Sequence, residues 1–203
     1  MRIDSFGPTS SVGLLPQILE EYHKTYPGID IYVDEGTDEE VVQWIQEYRI
    51  DIGLVLLPDD RFETYAITED QIVVVLPEQS PLAHKAQINL SDLCNDPFIL
   101  TEAGSGPLVQ SLFSEKVLYL KNRYRTSQVL RILSMVSRGE GIAMLAELAL
   151  PPDNQRSGYI VRKLSPTIVR SIGVATNKTG HTSPALKAFL RIIKKMGARK
   201  ILV

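Results

Sequence analysis

The chain has 203 residues, 44% hydrophobic and 23% charged, with a formal charge of −2, which suits one large soluble domain or two small lobes. That charge excludes tight unaided nucleic-acid binding, which needs clustered Lys and Arg. The single cysteine, Cys94, excludes an internal disulfide, and no apolar run reaches the length of a membrane span or a secretory leader, so a cytoplasmic location is expected.

Strands and helices alternate along the chain. Leu15, Ile18, Leu19, Tyr22 and Tyr26 form an apolar stripe at helical spacing that ends at Pro27-Gly28. Pro16 falls inside the stripe, so an irregular first turn or a kink is expected. Ile29, Ile31 and Val33 alternate with polar neighbours as in a strand half open to solvent. Thr37-Asp38-Glu39-Glu40 matches a capping box, and Val41, Val42, Ile45 and Tyr48 are expected to form the buried face of the helix that follows.

Ile52–Leu57 and Ile72–Leu76 are apolar on both faces, as buried parallel strands are. Further strands are expected at Phe98–Leu100, Ile142–Leu145, Tyr159–Val161 and Ile168–Thr176. A helix with Val129, Leu130, Leu133 and Val136 inward should stop at Gly139. Ser183-Pro184 opens a last helix that buries Leu186, Phe189, Leu190 and Ile193. Lys194, Lys195, Arg199 and Lys200 near its end read as cations facing the helix dipole.

Such alternation predicts an α/β fold with parallel sheets covered by helices. Polar clusters at strand-to-helix junctions, Thr9-Ser10-Ser11, Gly36-Thr37, Ser105-Gly106-Pro107 and Thr126-Ser127, fall where open α/β sheets gather ligands and helix N-termini offer unpaired amides to anions. Ser and Thr are also the commonest helix caps, so capping alone is the competing reading. No nucleophile elbow, phosphate loop or dinucleotide fingerprint is present. His23, His84 and His181 lack metal-ligand spacing. The acids Asp34, Glu35, Asp38, Glu39 and Glu40 suit a helix start better than a metal. No catalytic residue, metal or cofactor is expected.

Leu14-Leu15-Pro16 with Tyr26-Pro27, Glu35-Gly36-Thr37, Arg49–Leu54, Ser80–Ala83 with Leu90–Leu93, Pro97–Leu100, Gly104-Ser105-Gly106, Val136–Ala143 and Pro184–Phe189 together resemble the effector-binding domains of LysR-type transcriptional regulators. The tags keep the family's order across essentially the whole chain. Ser80 replaces a usual histidine, and Ala146-Glu147 replaces an expected proline.

The resemblance implies a type 2 periplasmic-binding-protein fold of two Rossmann-like lobes. Lobe I would hold 1–75, completed by 177–203, and lobe II 76–176, with hinge crossings near 73–77 and 172–177. It implies a co-inducer cleft between the lobes, in which Thr9, Ser10, Thr37, Ser105 and Ser127 match lining positions, and Gly36, Thr101, Gly106 and Thr126 beside them complete the candidate set. The expected effector is a small carboxylate or similar anion. A homodimer or tetramer is expected, paired through helices near 11–25 and 37–47. DNA would be reached only through an N-terminal winged helix-turn-helix that this chain lacks. A transporter's solute-binding protein is the alternative on the same fold, and an enzyme is not expected.

Overall fold

The computed structural model describes residues 1–6, 13–102, 104–179 and 183–198. The chain divides into two compact units, Met1–Asp70 with Arg170–Val203, and Gln71–Val169.

The first unit begins with β1 (Arg2–Phe6), α1 (Leu15–Thr25), β2 (Tyr32–Gly36), α2 (Asp38–Gln46) and β3 (Ile52–Leu57). It takes in the first half of β4 (Glu63–Pro77), the last part of β9 (Tyr159–Thr176) and α5 (Pro184–Ala198). Its strands lie in the order β2-β1-β3-β9-β4. β1 is parallel to β2 and β3, and β9 is antiparallel to β3. Gly53 lets α2 close onto the sheet, because a Cβ there would lie 2.9 Å from Ile45 Cδ1 and closer still to Val41. On α1, Leu15, Ile18 and Tyr22 are buried, and the Tyr22 ring packs on Phe189 of α5 at 5.3 Å between centroids.

The second unit holds the remainder of β4 and β9 with β5 (Gln87–Ile88), β6 (Pro97–Thr101), α3 (Gly106–Glu115), β7 (Lys121–Thr126), α4 (Val129–Ser137) and β8 (Ala143–Ala146). β4 pairs antiparallel with β8, and β6 pairs parallel with β7. Phe98, Leu100, Val109, Phe113 and Met144 are buried in one core cluster. Val129, Ile132, Leu133 and Val136 of α4 fill a second with Ile99 and Val75.

Several expectations need correction. The irregular first turn expected at Pro16 is not among them: a wider π-type turn at Gly13-Leu14 precedes α1, and the proline sits in its first turn, where no amide is needed. Tyr48 is 60% exposed, because α2 ends at Gln46 and the backbone turns left-handed at Tyr48 with φ 56°. On α4, Val129, Leu133 and Val136 are buried as expected, but Leu130 is 76% exposed and Ile132 takes its place on the buried face. β2 starts only at Tyr32. As an edge strand bonded to β1 alone, it leaves Tyr32 and Val33 exposed rather than alternating. The two strands expected within 159–176 are one strand of 18 residues.

Candidate functional site

In the second unit, β6 and β7 end side by side, with Thr101 opposite Thr126. Each strand turns directly into a helix, α3 after β6 and α4 after β7. Thr101, Ser105, Gly106 and Thr126 are buried, and Ser127 is exposed. The β6–α3 turn is tight enough to demand glycine, since a Cβ at Gly106 would overlap the Thr101 carbonyl oxygen. Neither helix carries an acidic residue in its first turn, and the Ser105 side chain makes no capping bond. The Thr126 hydroxyl accepts a long bond, 3.4 Å, from the Gln128 amide. Two helix starts therefore present amide dipoles at one strand edge, with no carboxylate in either first turn to satisfy them.

The first unit differs. Its helix α2 is capped as the sequence predicts: the Glu40 amide donates to Thr37 Oγ1 at 3.2 Å, and the Thr37 amide donates to Glu40 Oε2 at 2.8 Å. The Thr37 hydroxyl also donates to Glu40 Oε2, at 2.9 Å. Those bonds hold the Glu40 carboxyl below the usual carboxylate range. Gly36 lies under the Trp44 ring, which a Cβ would approach to 2.8 Å. The α2 start thus already holds an anion, its own Glu40. Thr9 and Ser10 lie outside the described residues.

Sequence reasoning passed over Asp4. It is fully buried in the middle of β1, opposite Asp34 of β2. Its Oδ1 accepts from the Ser5 amide at 2.8 Å, while its Oδ2 and the Ser5 hydroxyl have no partner among the described residues. Burial pushes its carboxyl up to about 6, and the nearby Asp34, Glu40 and Glu35 add to the shift. The only sequence signal was an acid in the middle of an apolar-bounded strand.

The other candidates stand apart from these groups. His23 and His84 are exposed, and His181 lies outside the described residues. Cys94 is half-buried, its thiol 3.7 Å from the Leu90 carbonyl. Among the described residues no three His, Cys, Asp or Glu side chains gather as metal ligands, and no helix is long and apolar enough to cross a membrane.

The family model of the LysR substrate binding domain matches residues 5–198. The chain belongs to that family. Among curated relatives, the LysR domain described here is 27% identical over 188 residues to the uncharacterized HTH-type transcriptional regulator YvbU of Bacillus subtilis, covering 93% of this chain and 64% of that protein. It is 30% identical over 201 residues to the probable HTH-type transcriptional regulator LrrA of Synechococcus elongatus, covering 96% and 66%.

The chain therefore spans about two thirds of the length of such relatives. In structure the LysR domain is similar to the CcmR regulatory domain of Synechocystis, solved with 2-PG, with a TM-score of 0.88, 22% identity, and coverage of 97% and 96%. It is also similar to the effector-binding domain of QuiR, solved with shikimate, with a TM-score of 0.86, 22% identity, and coverage of 100% and 99%. The fold is that of LysR effector-binding domains, type 2 periplasmic-binding-protein-like, and the family is one of transcriptional regulators rather than of enzymes.

Proposed function

We propose that this LysR effector-binding domain senses a small anionic metabolite, a carboxylate or phosphate ester. Its anionic group would be received at the paired helix starts of the second unit by Thr101, Ser105, Gly106, Thr126 and Ser127. The observation that carries this reading is the Thr101–Thr126 pairing, which brings two acid-free helix N-termini to one strand edge. The CcmR and QuiR domains support it, since they were solved with 2-PG and shikimate, both small metabolites, on this fold. In a longer regulator the binding would bias the DNA-binding segment by no more than the effector's differential affinity for two conformations.

The test is a thermal-unfolding panel of aromatic and aliphatic carboxylates, phosphate esters, sulfate and phosphate. A ligand at 100 times its Kd adds about 2.7 kcal/mol, which is roughly 5–10 °C for a domain of this size. The expected result is a saturable rise with one class of anion that is lost in Ser127→Asp, which places a fixed carboxylate at the α4 start. A panel without saturable response, or one indifferent to Ser127→Asp and Ser105→Ala, would overturn the reading.

A further inference from the structure

We propose that the first unit carries a second binding site, for a small organic ammonium ion with a short apolar chain, in the pocket between α2 and the end of β3. The pocket has a volume of about 350 Å³, and Asp38, Glu39, Val42 and Gln46 of α2, Val55 of β3 and Arg61 are among the residues that line it. That volume lies within the range of small-molecule sites.

The lining chooses the ligand. Three carboxylates, Asp38, Glu39 and Asp59, face one guanidinium, Arg61. That guanidinium is committed: its Nε and Nη2 hold Asp59 Oδ1 and Oδ2 at 2.9 and 2.7 Å. Among the described residues neither Asp38 nor Glu39 forms an ion pair, and Asp38 is partly buried. An anion would meet a lining in which carboxylates outnumber the one guanidinium, itself already held by Asp59. A divalent metal would need several converging ligands, which the described residues do not supply.

An alkylammonium needs less. Asp38 serves as its counter-ion, and Val42, Val55 and Leu56 receive its chain. The Gln43 side chain, which also lines the pocket, spends its N–H on Glu47 at 2.7 Å and keeps its carbonyl oxygen as an acceptor. Desolvation holds the Asp38 carboxyl at about 6, against the pull of Arg170 and with a push from Glu39. A bound cation would relieve that penalty. The groups around Asp38 are Glu39 on its own helix, Arg170 of β9, and the Asp59–Arg61 pair across the pocket. Affinity for the cation is therefore expected to fall as pH drops from 7 to 5.

The test is calorimetric titration of the domain with n-butylammonium and 1,4-diaminobutane. Butyrate and sodium chloride at equal ionic strength serve as controls. Saturable binding of the amines is expected, weakened at least tenfold by Asp38→Asn and blocked by Gln46→Trp, which fills the pocket from an exposed position. Ser127→Asp should leave it unchanged, so this site and the anion reading can fail separately. Absence of saturable amine binding would overturn the proposal. So would binding matched by sodium chloride, or binding untouched by both Asp38→Asn and Gln46→Trp.

Discussion

Asp70 and Arg170 are 100 residues apart in sequence and meet as a buried ion pair, with Arg170 Nη2 at 2.8 Å and Nε at 3.1 Å from the same Asp70 oxygen. Their side chains are 0% and 6% exposed. They sit at the two points where the chain leaves the first unit and returns to it, Asp70 in β4 and Arg170 in β9. Removing one partner of such a pair strands a buried charge and costs about 3–5 kcal/mol. We expect Asp70→Asn and Arg170→Met each to lose stability on that scale. The double variant Asp70→Asn/Arg170→Met should lose clearly less than the sum. A double-mutant cycle by urea unfolding measures this, and a coupling within about 0.5 kcal/mol of zero would contradict it.

Asp4 gives a pH prediction. Its folded pKa of about 6 stands above the ordinary 3.8, so between those values the folded state binds more protons than the unfolded state. Stability from this group is then fully present below about pH 4 and falls as pH rises through 6. Asp4→Asn removes the charge but leaves a buried amide with an unpaired N–H₂. We expect the variant to gain roughly 1–2 kcal/mol relative to the parent between pH 4.5 and 7.5. If urea midpoints of the two proteins run parallel across that interval, Asp4 is not ionising at the expense of the fold.

Gly106→Ala should be damaging for a reason confined to one atom. The added Cβ collides with the Thr101 carbonyl oxygen, which is rigid backbone. A loss of roughly 1–3 kcal/mol is expected, together with loss of any anion response that depends on the α3 start. Gly28→Ala, with nothing within 4 Å and ordinary backbone, is the control and should be nearly silent in thermal unfolding.

At the start of α2, Thr37→Ala should cost about 1 kcal/mol by removing the cap, whereas Thr37→Ser should retain most of it. Chemical denaturation of the two variants side by side decides the point. Equal losses would mean that the Thr37 hydroxyl bond contributes nothing net.

What the sequence made legible follows from the range of the forces involved. The Thr37–Glu40 box, the Ser183 cap that accepts from the Leu186 amide at 3.1 Å, and the stop at Gly139 with φ 77° are local events, and local patterns predicted them. The buried strands β3 and β4 declared themselves by unbroken apolar runs. β7 did not, because Lys121–Thr126 is polar and only Thr126 is buried, so no alternation marks it. β9 looked like two strands because Ser165-Pro166 interrupts its pattern, yet its pairing with β5 at Lys163 and Leu164 carries it through.

At the candidate site, the positions of the Ser and Thr clusters were readable. Two things were not. The occupation of the α2 start by Glu40 turned a predicted cap into a reason to look elsewhere for the anion. The acidic pocket depends on Asp38, Asp59 and Arg61 meeting around β3, which no periodicity expresses.

The strand order of the first unit bears on how a ribosome can deliver this domain. β9 lies between β3 and β4, so residues 1–70 emerge with the inner edge of β3 bare, including Leu54 and Val55, both buried in the finished fold. That edge waits for Ser171–Ala175, its pairing partners near the far end of the chain. During synthesis at about 5–20 residues per second the nascent first unit holds an open, apolar strand edge for several seconds or more. The second unit, continuous from Gln71 to Val169, can close first, and the sheet of the first unit is finished only once Ser171–Ala175 have emerged.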